Sequence, residues 1–135
     1  MALAAHHCTF CISNWNEGTT TEFPDGSKLT RASVSQAYDG DMAGASTVEY
    51  LMTYLASGSV KFIGFEVLTG SIGGRSGTVV LQHDGIFVGG RARSTWAFVE
   101  GSGTGELVNL HGSGSYESVD QVTVNSTFVY SFGET

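Results

Sequence analysis

Glu66 lies in "SVKFIGFEVLTGSIGG" (59–74), between Phe65 and Val67 and four residues from Phe62. A carboxylate there is either a solvated surface group or the one acid in an apolar pocket. In the pocket, the surroundings disfavour its charged form and prepare it as a general acid or base. His83 is the natural helper, an imidazole able to share or orient a proton. Each has a plainer alternative. A buried Glu66 can be satisfied by Tyr50, Tyr54 or a backbone donor, and His83 can be a hydrogen-bonded core residue. Around them, Tyr50, Met52, Tyr54, Phe62, Leu81, Trp96 and Phe98 either line a ligand cavity, with the Trp96 indole N–H as a polar handle, or fill the interior as core.

Other constellations carry less chemistry. "HHCTFC" (6–11) has metal-ligand residue types, but strand alternation sends Cys8 and Cys11 to opposite faces, and no second cluster completes a site. The same alternation prevents a disulfide between them. "GSIGGRSG" (70–77) lacks the Gly-Lys-Ser/Thr ending of a phosphate loop and no helix follows it, so it reads as a hairpin turn. No nucleophile-elbow motif surrounds any serine. Neither a metal nor a cofactor is expected.

These residues must be positioned by strands. The chain has 135 residues, enough for one domain (1–135) with a single core. It is 41% hydrophobic, 14% charged and carries 19 glycines and one proline. That apolar content opposes disorder. The net charge is −7 and the six basic residues are scattered, which argues against nucleic-acid binding. The opening "MALAAHHCTFC" has no basic region or apolar run of signal-peptide length. No stretch approaches the roughly 20 apolar residues that span a bilayer. A cytoplasmic protein with no membrane partner is expected.

No segment sustains a helical period. β-branched and aromatic runs alternate with Gly, Ser and Asp, predicting strands near 5–15, 28–38, 44–55, 59–70, 75–87, 90–99, 104–110 and 126–132. "NWNEGTTTEFPDGSK" (14–28) reads as a long loop, and "HGSGSYESVDQVTVNS" (111–126) as a flexible connection with room for a short strand or turn. About eight strands with mostly tight turns suggest an all-β fold, a single antiparallel up-and-down barrel that closes to protect its edges. A β-sandwich is the competitor.

Turn chemistry orients the faces. A type I turn at Ala56–Ser57 with left-handed Gly58 groups Val48, Tyr50, Met52 and Tyr54 with Phe62, Gly64, Glu66 and Leu68. A two-residue Ser57–Gly58 turn would instead set Glu49 opposite Glu66. A Gly73–Gly74 turn adds Val79, Leu81 and His83 to the Glu66 face. A turn near Val88–Gly89 adds Ala92, Ser94, Trp96 and Phe98. Ile63, Phe65 and Val67 then form an outer apolar stripe, which suggests a homo-oligomer, dimer or trimer.

"KLTRASVSQAYDGDMAGASTVEYLMTY", "GSIGGRSGTVVLQHDGIF", "GGRARSTW" and "GSGTGELVNLHGSG" together resemble an uncharacterised bacterial domain-of-unknown-function family with an allene oxide cyclase-like β-barrel fold. The resemblance covers residues 9 to 116. "GTGEL" (103–107) is also similar to dirigent proteins, although Asn109-Leu110-His111-Gly112 stands where Gly-Leu-Arg-Gly is usual. The resemblance implies an eight-stranded barrel and leaves activity open; no family site residue transfers to a position here. Three functions follow in order: a barrel binding an apolar or amphipathic small molecule; a cofactor-independent isomerase or cyclase using Glu66 and His83; and a solid-core protein-interaction module.

Overall fold

The computed structural model describes residues 3–118 and 123–133. Eight strands follow in chain order: β1 (His6–Glu22), β2 (Lys28–Gly40), β3 (Met42–Tyr54), β4 (Val60–Ile72), β5 (Arg75–Val88), β6 (Arg91–Phe98), β7 (Leu110–Ser118) and β8 (Thr123–Phe132). Each pairs antiparallel with its sequence neighbour. β1 closes the ring by pairing with β8, from His6 opposite Phe128 to Cys11 opposite Thr123. Closure removes the free edges that an open sheet would expose, and it excludes the sandwich. Among the described residues no helix is long and apolar enough to cross a membrane.

The turns set the faces. At Leu55–Ser59 the Leu55 N–H donates to the Ser59 carbonyl (2.8 Å) and Gly58 takes φ 95°, so Val48 opposes Glu66 and the Glu49–Glu66 register does not form. Gly73 and Gly74 turn β4 into β5 with φ 58° and 84°. The β5–β6 turn falls on Gly89–Gly90, one residue later than expected. Both positions need positive φ, which a valine resists. Moving a two-residue turn by one residue shifts the pairing by two, so the expected face survives.

Three segments differ from expectation. Residues 14–22, read as loop, continue β1, and the turn is confined to Phe23–Ser27, where Asp25 accepts from the Ser27 N–H at 2.9 Å. Among the described residues this part of β1 lies beyond its pairing with β8, and it forms an exposed arm with β2. Its polar composition reflects solvent, not irregular backbone. The expected strand at 104–110 is instead a single 3-10 turn, Gly105–Leu107. Thr104 straps it to β5, its N–H donating to the Thr78 carbonyl at 2.8 Å. The missing strand is β7, inside the segment read as a connection; residues 119–122 of that segment lie outside the described residues.

The two ends of the barrel differ. Met42, Leu68, Ile72, Leu81 and Leu107 are fully buried and plug the end that carries the Gly73–Gly74 turn. Ala32, Val34, Val48, Tyr50, Met52, Val60 and Phe62 form a second cluster toward the opposite end. Leu107 comes from outside the sheet and closes the plug. Leu107→Ala is therefore expected to lower stability by about 3 kcal/mol, the usual cost of a large-to-small change in a packed core. Urea unfolding measures it.

Candidate functional site

Glu66 points into the barrel and is 1% exposed. Four consecutive strands supply the cluster. Tyr38 of β2 donates its hydroxyl to Oε1 at 3.0 Å, and Ser46 of β3 donates to Oε2 at 2.5 Å. His83 of β5 places Nε2 2.6 Å from Oε1. Its Nδ1 is buried and has no hydrogen-bond partner among the described residues. Tyr50 and Tyr54, expected as partners of Glu66, are engaged elsewhere. The Tyr50 ring lies over Gly64, where a Cβ would come within 2.7 Å of it, and packs edge-on against Phe62, while the Tyr54 hydroxyl donates to Glu17.

The surroundings respond to this buried charge. Burial, and then the Glu66 carboxylate, hold the Tyr38 phenol well above its usual range. The Cys8 thiol is pushed up to about 12 by burial first and Glu66 second. Tyr50 is also raised, by burial, then Tyr116, then Glu66. Burial raises Tyr116 as well. The phenols and the thiol therefore stay protonated at neutral pH, and Tyr38 serves Glu66 as a hydrogen-bond donor rather than a base.

Toward the unplugged end the interior holds a cavity of about 380 Å³. Tyr50, Met52, Tyr54 and Phe62, four of the expected ligand residues, line it. Phe10, Ile12 and Trp15 of β1 line it too, with Gln36 of β2 and Tyr116 of β7. Glu66 and His83 lie outside this lining. The His83 ring packs edge-on against Tyr50 (5.9 Å between centroids) and Tyr116 (6.3 Å), so these two phenols floor the cavity above the acid. Leu81, Trp96 and Phe98, expected beside the ligand, pack into the plugged half, where the Trp96 indole donates to Ser126 at 3.2 Å.

The rim is built by a register shift. Between Ile12 and Asn14 β1 bulges, so the inward positions change from even to odd numbers. Trp15 and Glu17 thereby turn inward. Trp15 stacks on Tyr50 (6.2 Å between centroids) and donates its N–H to Glu17 at 3.0 Å. Thr30 (2.7 Å) and Tyr54 donate to the other Glu17 oxygen. Partial burial raises the Glu17 carboxyl, but these three donors outweigh it and hold the group below the usual range.

Sequence reasoning missed Tyr38, Ser46, Gln36, Trp15 and Tyr116. Tyr38 and Gln36 carried a usable signal, since Thr30, Ala32, Val34, Gln36 and Tyr38 alternate with Arg31, Ser33, Ser35, Ala37 and Asp39. Trp15 carried none, because a bulge leaves no mark in an alternation pattern. Ser46 and Tyr116 needed the observed pairing.

A family model described as a protein of unknown function (DUF3224) matches residues 6–130. The crystal structure of a DUF3224-family protein of unknown function from Shewanella oneidensis has a TM-score of 0.79 to this chain. It is 25% identical, and the match covers 99% of this chain and 100% of that one. No curated protein matches the sequence.

The Glu66 cluster tests itself through stability. Glu66→Ala strands the donors Tyr38, Ser46 and His83 in a buried space, with an expected loss of about 3–5 kcal/mol in urea unfolding. Glu66→Gln keeps the shape and an acceptor, and should cost clearly less in the same measurement.

Proposed function

The chain belongs to the DUF3224 family, and from its interior we propose that it binds an apolar or amphipathic small molecule. The supporting observation is the one-ended cavity of about 380 Å³, which falls within the range of small-molecule sites, roughly 300–1,000 Å³. Its walls are mainly aromatic and aliphatic, and a few polar groups stand at the floor and rim to fix orientation. The solid-core alternative is disfavoured by the same void. The resemblance read from the sequence, to a family with an allene oxide cyclase-like barrel, would suit this reading, because such barrels supply an apolar cavity.

The second reading, a cofactor-independent isomerase or cyclase, draws on one observation: the buried Glu66–His83 pair with an unpartnered Nδ1. The Tyr50 and Tyr116 rings stand between that pair and the cavity, which places binding ahead of catalysis. We also infer a cytoplasmic setting, since the unpaired thiols Cys8 and Cys11, one buried and one exposed, suit a reducing compartment.

The proposed partner beyond a ligand is a second copy of the chain. Ile63, Phe65 and Val67 are 51%, 56% and 46% exposed and adjoin exposed Leu51 on β3. The Arg31–Glu49 and Lys61–Asp84 ion pairs flank this patch. An apolar centre with a charged rim is the usual anatomy of a subunit contact.

Two measurements check these proposals. An environment-sensitive apolar dye should bind the native protein and lose affinity about tenfold or more in Ala92→Trp, which fills the cavity wall. Unchanged dye affinity in a folded variant would remove the cavity as the site. Light scattering should show a dimer or trimer that Phe65→Glu dissociates; a dilute native monomer would remove the subunit contact.

A further inference from the structure

We propose that the cavity takes a neutral molecule of roughly two rings with an amide edge, N–H beside C=O, that pairs with the Gln36 side chain. This names the ligand class for the binding role above and rests on that role. The volume of about 380 Å³ accommodates a two-ring body at interior packing density.

The buried polar groups of the barrel single Gln36 out. Thr30 donates to Glu17, Ser46 and His83 engage Glu66, and Ser94 and Ser126 donate to backbone carbonyls. Gln36 is 5% exposed, and among the described residues its amide hydrogen-bonds no protein group. An amide buried without a partner is destabilising, and native interiors rarely keep one that nothing from outside the chain meets.

That amide opens on the cavity. Among the described residues the one partnerless side-chain atom sealed from open space is His83 Nδ1, so both amide atoms of Gln36 border a void. The void is the cavity that Gln36 lines. On β2, Gln36 stands between Ile12 of β1 and Ser46 of β3. Ile12 offers it no polar side-chain atom, and the Ser46 hydroxyl is turned to Glu66.

The remaining lining sets the rest of the ligand. The Trp15 indole and the Tyr54 hydroxyl are committed to Glu17, and Phe10, Met52, Val60 and Phe62 are apolar. Among the described residues no charged side chain lines the cavity, so an ion would enter without a counter-ion. Burying an unpaired charge is far costlier than burying a hydrogen-bonded neutral group. Gln36 carries N–H donors and an acceptor oxygen on one planar group. A lactam or carboxamide edge answers both with two parallel hydrogen bonds, whereas a ketone or ester answers only the donor.

The test uses four probes of one shape: carbostyril (a benzo-fused lactam), coumarin (its lactone counterpart without the N–H), naphthalene and a naphthoate. Equilibrium dialysis measures each against the native protein. Carbostyril should bind about fivefold tighter than coumarin, the worth of one hydrogen bond, and about tenfold tighter than the naphthoate. Gln36→Met keeps the volume and removes the amide, so it should weaken carbostyril about tenfold and leave naphthalene at least as tight. In isotope-labelled protein the Gln36 side-chain amide signals should move downfield with carbostyril and much less with naphthalene. Equal or tighter binding of the naphthoate overturns the proposal, as do amide signals that carbostyril leaves in place, or a Gln36→Met that weakens all probes alike. If that variant does not fold, the native ranking and the amide signals decide. If naphthalene binds while carbostyril gains nothing over it, the amide class fails and the binding role stands. If none of the four binds, the binding role fails with it.

Discussion

The interior is organised around one buried carboxylate and the donors it requires. A carboxyl taken out of water is tolerable only when its hydrogen-bonding positions are met, and Glu66 meets this with partners on three other strands, β2, β3 and β5. Tyr38, Ser46 and His83 reach it because β2 to β5 run in continuous antiparallel register, with Val48 beside it on one side and Leu81 on the other. A one-residue slip in any of these pairings would turn the offending strand's side chains outward. The carboxylate would then keep its desolvation cost and lose its partners. Register and polar satisfaction therefore reinforce one another, and a compact slipped alternative is penalised twice.

The same cluster divides the barrel. Below it, Met42, Leu68, Ile72, Leu81 and Leu107 pack to exclusion of water, with Leu107 delivered by the 3-10 turn between β6 and β7. Above it, the aromatic side chains lean on one another instead of meeting at the axis. Tyr50 packs edge-on to Phe62 at 5.3 Å and is covered by Trp15. Glycine makes room for this arrangement. A Cβ at Gly64 would strike the Tyr50 ring at 2.7 Å, and one at Gly85 would meet Phe62 at 2.2 Å. Large rings seated over glycines lie against the wall, and the space at the centre is what remains.

Much of this was legible in the sequence. Alternation and turn chemistry gave the inward direction of Tyr50, Phe62, Glu66, His83, Trp96 and Phe98, because a period of two survives any error that shifts a strand pairing by two. What alternation cannot supply is height along the barrel axis. Glu66, Trp96 and Tyr50 share the inner surface, yet they belong to different levels, and only the strand stagger separates packed half from cavity. The long polar arm of β1 failed for a different reason. Its residues face solvent as strands beyond the ring, so composition mimicked a loop, and the bulge after Ile12 hid the inward turn of Trp15 and Glu17.

That bulge links the cavity to the rest of the fold. Up to Cys11, β1 is held on both sides by β2 and β8; beyond it, among the described residues, pairing continues with β2 alone. Without the bulge, Asn14 and Asn16 would point inward and Trp15 would face solvent. With it, the arm presents an indole to Tyr50 and a carboxylate to Thr30 and Tyr54. Glu17 thus repeats at the rim the solution Glu66 uses at the centre, an acid met by hydroxyls from neighbouring strands. The difference lies in their cost. Water still reaches Glu17, so its bonds can open without stranding a buried charge, whereas those of Glu66 cannot. The barrel is consequently fixed at its middle, while the hydrogen bonds at its rim are the less costly to open.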